Sequence, residues 1–175
     1  VISGIPATKV EGACASGGIA FKHGCMSVTL GDSEVALVVG VEKMTGYSTA
    51  DVTKSLNFAM DQGVDGGTGI TFPGLYGLAW RSHAEQYGTT RSQVTSVIKK
   101  NKNAGEKNSL AQLPNAGADI NPETYKMIAS PLTLIDCCPI SDGATAILIA
   151  NSKITRSSVK SINISSSVQT SGGSN

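Results

Sequence analysis

The chain has 175 residues, which is enough for one domain with a buried core. Its formal net charge is +1, and charged residues make up 15% of the chain against 40% hydrophobic ones. This composition lacks the basic excess of a nucleic-acid-binding protein and the charge density of a disordered one. We therefore expect neither of these two classes of protein.

The apolar runs of the sequence are too short to cross a membrane. The longest, near residues 35–41 and 144–150, have about a third of the ~20 residues that a spanning helix needs. No cationic stretch leads from Val1 into an apolar core and a cleavage site, so secretion is not supported. The sequence opens as the inside of a domain does, which fits a processed or truncated start.

The first predicted elements are a helix and a strand. Small and apolar residues over Ser16–Thr29 predict a buried helix that ends at a turn over residues 30–32. The run EVALVVGVE, Glu34–Glu42, is short, β-branched and bounded by turn signals, which predicts a strand covered on both faces. The order of strand, helix and such a strand is typical of a parallel α/β sheet.

The middle of the chain, from Thr45 to about Pro131, is predicted to be an excursion from the sheet. It is glycine-rich at GVDGGTG and GLYG. Three helices are predicted there, namely Leu78–Tyr87, Thr90–Ala104 with Thr89 or Thr90 as its cap, and Pro122–Ala129. A loop rich in Asn, Lys and Gly is predicted over Asn101–Asn115.

Strand patterns return after the excursion. DGATAILIA, Asp142–Ala150, predicts another short buried strand, and the alternation from Val159 to Val168 predicts one more before the polar tail SGGSN. A self-sufficient doubly wound sheet has roughly five strands or more. The three or four predicted here leave the chain short of elements that would cover its central strands.

Cys14 is the candidate nucleophile, in the stretch VEGACASGGIAF. With a helix beginning at about Ser16, its thiol lies beside a helix N-terminus, where the positive end of the dipole stabilises a thiolate. The alanines and glycines on both sides permit close approach of a substrate and supply backbone N–H groups for an oxyanion. The pattern favours acyl transfer, and the alternative is a small buried cysteine beside closely packed helices.

The other three cysteines are predicted to be structural. Cys25 lies inside the helix with no terminal dipole to activate it, and the neighbours Cys137 and Cys138 lie at a turn. Adjacent cysteines make a poor disulfide framework, so reduced thiols of an intracellular protein are expected. Neither His23 nor His83 stands at a zinc-ligand spacing from a cysteine, so no metal site is predicted.

Three separated motifs resemble those of the thiolases. They are ACASGG around Cys14, GDSEVALVVGVEKMT from Gly31 and PISDGATAIL from Pro139, and their order and spacing also match. The sequence is most similar to the sterol-carrier-protein-type and archaeal-type thiolases, whose middle segment reads much like FPGLYGLAWRSHAEQYGTTRSQV. The resemblance covers nearly the whole chain, from about Gly4 to Ala150.

This resemblance implies an α/β fold that is part of the N-terminal half of a thiolase-like fold. That half has a mixed sheet with a buried nucleophile helix, and a helical loop domain is added to it. Residues 1–45 and 132–170 would form the incomplete core, and residues 46–131 the loop domain that covers the coenzyme A site. Residues 171–175 would be a flexible tail.

The implied activity is CoA-dependent acyl transfer through an S-acyl intermediate on Cys14. The substrate is a coenzyme A thioester, and no cofactor is implied. The acyl group passes to the carbanion of acetyl-CoA in condensation, whereas CoA cleaves a 3-ketoacyl-CoA in the opposite direction. Covalent capture divides one difficult step into two, and the backbone N–H of Cys14 would share the oxyanion with another donor.

The family's acid/base residues are a histidine in a Gly-His-Pro motif and a second cysteine in a Cys-x-Gly motif, and this chain has neither. His23 is followed by Gly24, and His83 by Ala84. His23 lies about 13 Å from Cys14 by helical rise, too far for proton transfer. His83 is expected on a solvated helix. A homo-oligomer or a partner subunit that supplies the histidine and second cysteine is therefore expected.

By the same resemblance, the GLYG turn at Gly74–Gly77 falls where substrate-facing residues lie. Leu75 and Tyr76 are therefore the substrate-binding candidates, and the alternative is an apolar turn that packs the loop onto the sheet. Asp136 and Asp142 are predicted to form turns rather than to act as acids.

The leading hypothesis is a fragment or a split subunit of a thiolase. The alternative is a non-catalytic, thiolase-like binding or assembly subunit, because the absence of the family's base is also consistent with that role. A cytoplasmic location is expected, with mitochondria and peroxisomes as alternatives, since no C-terminal S-K-L ends the chain.

Overall fold

The computed structural model describes residues 4–113, 120–155 and 160–172. In chain order its elements are α1 (Ser16–Leu30), β1 (Val35–Glu42), α2 (Thr49–Asn57), α3 (Phe72–Tyr87), α4 (Arg91–Glu106), β2 (Met127–Ala129), β3 (Leu132–Thr133) and β4 (Gly143–Ala150). The chain divides into two compact units, one from Val1–Thr45 with Ser141–Asn175 and one from Gly46–Ile140. The mixed α/β class is confirmed.

Helix α1 follows the predicted bounds closely. It begins at Ser16 after a 3-10 turn over Ala13–Ala15, and it ends where Gly31 takes a left-handed φ of 82°. Glycine adopts this conformation without steric cost, and its N–H caps the last turn by bonding carbonyl oxygens of Ser27 and Val28. The predicted turn at residues 30–32 therefore marks the true end of the helix.

Strands β1 and β4 pair with each other in antiparallel register, with Leu37 opposite Leu148 and Val39 opposite Ala146. The prediction of a parallel sheet is therefore wrong for this pair. Both strands read as continuous apolar runs, and such runs do not encode the direction of the neighbouring strand.

One face of the β1–β4 pair packs against α1, and the other is open. Ile149 is 6% exposed on the packed face, whereas Leu37 is 53%, Val41 74% and Leu148 70% exposed on the opposite one. The prediction that β1 is covered on both faces is wrong for this chain. The prediction that β4 is a buried strand is wrong for the same reason, since Ile149 is its one buried residue. Within α1, Gly24 and Val28 are buried.

Gly24 sets how closely α1 approaches the strands. A Cβ atom there would lie 2.7 Å from Val38 Cγ2 and 3.1 Å from Ile149 Cδ1. We therefore expect Gly24→Ala to lower the free energy of unfolding by about 1–3 kcal/mol through overpacking. Urea denaturation checks this, with Gly18→Ala as control, because a Cβ atom at Gly18 meets nothing within 4 Å. Equal losses in both variants would contradict the packing explanation.

In the second unit, α3 begins before the predicted Leu78 and includes the GLYG segment. The prediction of a turn at Gly74–Gly77 is therefore wrong. Pro73 stands in the first turn of the helix, where its missing N–H costs nothing. Gly77 permits a close approach, because a Cβ atom there would lie 3.0 Å from the Ser130 carbonyl oxygen and 3.2 Å from that of Ala129 at the end of β2.

The prediction of a third helix over Pro122–Ala129 is also wrong. Residues Pro122–Thr124 form a single 3-10 turn with Asn121 accepting from the Glu123 N–H, and the chain then extends into β2. β2 pairs with β3 in antiparallel fashion across a cis Ser130–Pro131 peptide. A proline and a cap residue start a helical turn, but strand pairing ends it here.

Helix α4 has the predicted cap. The Thr90 hydroxyl accepts from the Gln93 N–H at 3.4 Å, and Gln93 Oε1 accepts from the Thr90 N–H at 2.8 Å. We expect Thr90→Ala to lower the free energy of unfolding by about 1 kcal/mol. Thermal unfolding checks this against Ser82→Ala, an exposed serine inside α3. The capping account fails if Thr90→Ala is as stable as that control.

Two of the predicted elements extend beyond the residues that the structure describes. Helix α4 extends through residues 101–106 of the predicted loop, whereas residues 114 and 115 of that loop are not described. No strand occurs over residues 160–172, so the predicted last strand is wrong there, and Val159 lies outside the described part, as do residues 173–175 of the tail. Among the helices that are described, none is long and apolar enough to span a bilayer.

Candidate active site

Cys14 is the middle residue of the 3-10 turn that leads into α1, and it is exposed. Ala13, directly before it, has φ = 50° and is the one non-glycine residue with positive φ in the described part of the chain. This left-handed conformation costs an L-residue roughly 1–2 kcal/mol, and it persists only where surrounding contacts enforce it. The candidate nucleophile therefore lies on a strained turn.

The Glu11 carboxylate supplies contacts that enforce this turn. Its Oε1 accepts hydrogen bonds from the Ala13 N–H at 2.7 Å, the Gly12 N–H at 3.0 Å and the Ser16 hydroxyl at 2.9 Å. The bond from Ser16 and those from the two backbone groups lower the pKa of Glu11 below its ordinary value of 4.5. The carboxylate is thus ionised at neutral pH and acts as an acceptor.

Ser16 holds the other side of the same turn. Its Oγ accepts from the Gly12 N–H at 2.9 Å, and its hydroxyl proton also lies within reach of the Ala13 carbonyl oxygen at 2.7 Å. The Ser16 N–H bonds the same carbonyl oxygen. Sequence reasoning identified Cys14 but missed Glu11 and Ser16, because their bonds form only when Ala13 is left-handed.

The remaining cysteines have other surroundings. All four are free thiols. Cys25 is half-buried inside α1, and Cys138 is exposed. Burial and the charge of Asp136 raise the pKa of the Cys137 thiol, which makes it a poorer nucleophile at neutral pH. Across the described residues, no group of three or more His, Cys, Asp or Glu side chains could hold a metal ion.

Neither histidine makes a contact that would place it as a base for Cys14. His23 is exposed on α1, nine residues beyond Cys14 in sequence. His83 Nδ1 pairs with Thr89 Oγ1 at 2.7 Å, and its ring lies 4.7 Å from that of Tyr87. His83 is therefore an exposed helical residue whose hydrogen bond connects the end of α3 to Thr89 in the following segment.

The substrate-binding candidates lie in the second unit, on the first turns of α3. Leu75 is half-buried, and Tyr76 is 66% exposed. Because α3 carries both, they occupy successive positions on a helix rather than the tip of a turn. Their role stays a prediction.

A partly buried ion pair in the second unit joins the start of α4 to Asp136, which follows β3. Arg91 donates to Asp136 through two nitrogens, at 2.7 Å and 3.0 Å, and the Asp136 side chain is 3% exposed. Burial alone would raise the pKa of Asp136, but the bonds from Arg91 and Thr133 outweigh it, so the pKa is below its usual value. The Arg91 guanidinium also lies 5.1 Å from the Trp80 ring centre.

An open cavity of about 360 Å³ adjoins this ion pair. It is lined by Trp80, Arg91, Pro122, Glu123, Tyr125, Met127, Ser130, Pro131 and Thr133. The lining comes from α3 and α4 on one side and from the 3-10 turn, Tyr125 and the β2–β3 hairpin on the other. These two groups are far apart in sequence, so no local motif indicates the cavity.

Asp142 has a structural role in the first unit. Its Oδ1 accepts from the N–H groups of Met44 and Thr45, each at 2.8 Å, and its Oδ2 accepts from Lys43 Nζ at 2.6 Å. The bonds from Lys43 and Thr45 hold the pKa of Asp142 well below its usual range. The carboxylate joins the start of β4 to the segment after β1, a contact that the predicted turn role did not foresee.

Comparison with known proteins places these features in a family. A family model described as the thiolase N-terminal domain matches residues 1–118. Acetyl-CoA acetyltransferase from Methanothermobacter thermautotrophicus is 41% identical over 152 residues, which cover 87% of this chain and 39% of that protein. Two further relatives are less similar.

The first of these is benzoylsuccinyl-CoA thiolase subunit BbsB from Thauera aromatica, 27% identical over 168 residues, which cover 96% of this chain and 42% of that one. The second is sterol carrier protein 2 from Homo sapiens, 28% identical over 157 residues, with coverages of 86% and 29%. The chain therefore spans 29–42% of the length of these curated relatives.

Proposed function

This chain belongs to the thiolase family, whose N-terminal domain it matches, and on that premise we propose that it carries out the acyl-accepting step of a CoA-dependent acyl transfer. The observation that carries the proposal is Cys14, an exposed thiol on a strained turn at the start of α1. Relatives named acetyl-CoA acetyltransferase support an acyl-CoA as the substrate class.

The proposed step begins with the Cys14 thiolate. Its Sγ attacks the thioester carbonyl carbon of an acyl-CoA and forms a tetrahedral oxyanion. The bond from that carbon to the CoA sulfur then breaks, so the acyl group stays on Cys14 as a thioester. The CoA thiolate leaves and takes up the proton that Cys14 lost. The backbone N–H of Cys14, together with a donor from elsewhere, stabilises the oxyanion.

Turnover needs a base, and in the described part of the chain neither histidine makes a contact that places it as a base for Cys14. His23 is about 13 Å away by helical rise, and His83 is engaged with Thr89. We therefore propose that a second copy, a partner subunit or a further part of the same protein supplies the histidine and the second cysteine. The acyl chain length and the direction of the reaction are set by that complete site.

The finer assignments belong to the same proposal. Residues 1–45 and 132–170 are assigned to the thiolase-like core and residues 46–131 to a loop domain over the CoA site, whereas the second compact unit continues to Ile140. Leu75 and Tyr76 contact the pantetheine arm of the substrate, and Tyr76, 66% exposed, has the surface to do so. The cellular location is cytoplasmic.

Intact mass spectrometry tests the proposal. The protein is purified from its own cells, so that any bound subunit is retained, and is incubated with acetyl-CoA. We expect a mass increase of one acetyl group per chain, the release of one equivalent of CoA, and removal of the acetyl group by neutral hydroxylamine. Absence of acetylation alongside retained CoA binding would instead support a non-catalytic binding or assembly subunit.

A further inference from the structure

Two side chains beside Cys14 fix the backbone that carries it. Glu11 Oε1 accepts from the Ala13 N–H, which belongs to the Gly12–Ala13 peptide. The Ser16 N–H bonds the Ala13 carbonyl oxygen, which belongs to the Ala13–Cys14 peptide, and Ser16 Oγ lies 2.7 Å from the same oxygen. The two peptide planes that flank Ala13 are therefore each held, and together they determine its left-handed φ of 50°.

This arrangement has a consequence for Cys14 itself. A peptide unit is planar, so a trans unit points its carbonyl oxygen and its N–H in opposite directions. When Ser16 holds the Ala13 carbonyl oxygen on the helix side, the N–H of Cys14 is directed away from the helix. Cys14 is an exposed residue, and an N–H that points away from the helix beside the nucleophile is a suitable donor for an oxyanion.

We propose that Glu11 and Ser16 are positioning residues that fix the Ala13–Cys14 peptide so that the Cys14 N–H can stabilise the oxyanion formed during acylation. This proposal rests on Cys14 being the acyl acceptor. Neither side chain touches the acyl group, and neither moves a proton in the step. Their contribution is to keep one backbone donor oriented before the reaction begins.

Two reactions of the same thiol separate positioning from general folding. Acylation by p-nitrophenyl acetate passes through an oxyanion, whereas alkylation by iodoacetamide displaces iodide and forms none. A loss of donor orientation therefore lowers acylation and spares alkylation. A disordered or unfolded turn changes both rates together. Because p-nitrophenyl acetate needs no CoA site, the comparison does not depend on acetyl-CoA being a substrate.

The experiment measures both rates at Cys14 by peptide mass spectrometry, with the exposed Cys138 as an internal reference in every sample. In Glu11→Ala and in Ser16→Ala, the acylation rate relative to the alkylation rate at Cys14 is expected to fall about tenfold to a hundredfold. Glu11→Gln keeps an acceptor oxygen without the charge and is expected to stay within about threefold of the unchanged protein. The ratio at Cys138 stays constant.

Three results would overturn the proposal. The first is an unchanged ratio at Cys14 in both alanine variants. The second is a Glu11→Gln ratio as low as that of Glu11→Ala, which would assign the effect to charge. The third is an unmodified protein in which Cys14 shows no higher ratio than Cys138. If acetyl-CoA fails to acylate Cys14 while this pattern holds, the proposed function fails and the positioning role stands.

Discussion

Replacing Cys14 by alanine is expected to abolish covalent acetylation by acetyl-CoA. The S-acyl intermediate needs a nucleophilic sulfur, and none of the other thiols shares the place of Cys14 on a turn at a helix start. Loss of the nucleophile in an enzyme with a covalent intermediate lowers the rate by about 10³-fold or more. Labelling with radioactive acetyl-CoA, followed by counting of acid-precipitated protein, measures the effect.

The matched control for this change is Cys25→Ala. Cys25 lies within α1, the helix that follows Cys14, and is half-buried, so its replacement alters packing without touching the candidate nucleophile. Label incorporation in Cys25→Ala is expected to match that of the unchanged protein. If Cys14→Ala retains label and Cys25→Ala loses it, then the nucleophile has been assigned to the wrong thiol.

Replacing Arg91 by alanine is expected to lower the free energy of unfolding by about 2–4 kcal/mol at neutral pH. The reason is that the Asp136 carboxylate, 3% exposed, would keep its charge and lose both bonds from the guanidinium. Arg81→Ala is the control, since exposed Arg81 makes a single bond of 3.0 Å to Ser130 Oγ. Its loss should cost at most about 1 kcal/mol.

The pH dependence of this deficit follows from the pKa of Asp136. With Arg91 present, that pKa is lowered, so the carboxylate stabilises the fold above its unfolded pKa and loses this effect as pH falls through the folded one. Without Arg91, its hydrogen bonds and its charge no longer lower the pKa of Asp136, so this pKa rises. The difference between the two proteins should therefore shrink as the pH falls below about 4.

A double variant separates the buried charge from the lost contact between Arg91 and Trp80. Arg91→Ala with Asp136→Asn removes the charge, so it is expected to be more stable at pH 7 than Arg91→Ala alone. Urea denaturation at pH 7 and pH 4 provides both comparisons. A double variant no more stable than the single one would show that packing on Trp80, rather than the buried charge, causes the loss.

Local sequence patterns correctly predicted the elements whose positions depend on neighbouring residues. The start of α1 at Ser16, the strand β4 and the cap of α4 at Thr90 all depend on neighbouring residues, and each was predicted within one or two positions. Cys14 was identified for the same reason, because small residues and a helix start surround it within the motif.

Long-range contacts explain where the predictions were wrong. Gly77 indicated a turn, but a glycine there instead permits the Ser130 carbonyl oxygen to come close to α3. Pro122 correctly marked the start of a helical turn, but pairing of β2 with β3 ended it. The antiparallel direction of β1 and β4 depends on the path of the chain between them, which an apolar run does not encode.

The hydrogen-bonded neighbours of Cys14 were missed for a geometric reason. Glu11 and Ser16 are five positions apart, and they do not share an element, because Glu11 precedes the 3-10 turn and Ser16 is the first residue of α1. They meet because Ala13 adopts a left-handed conformation, which is rare for alanine and has no compositional signal. The sequence motif therefore identified the candidate nucleophile but not the hydrogen bonds that orient its backbone.

Direct location of the acyl group tests the central claim, that Cys14 accepts it from acyl-CoA. The protein is incubated with acetyl-CoA, quenched in acid, digested and examined by tandem mass spectrometry. We predict an acetyl thioester on the peptide that contains Cys14, with Cys25, Cys137 and Cys138 unmodified. Acetylation of Cys138 to the same extent, or acetylation of other residues with Cys14 free, would contradict the account.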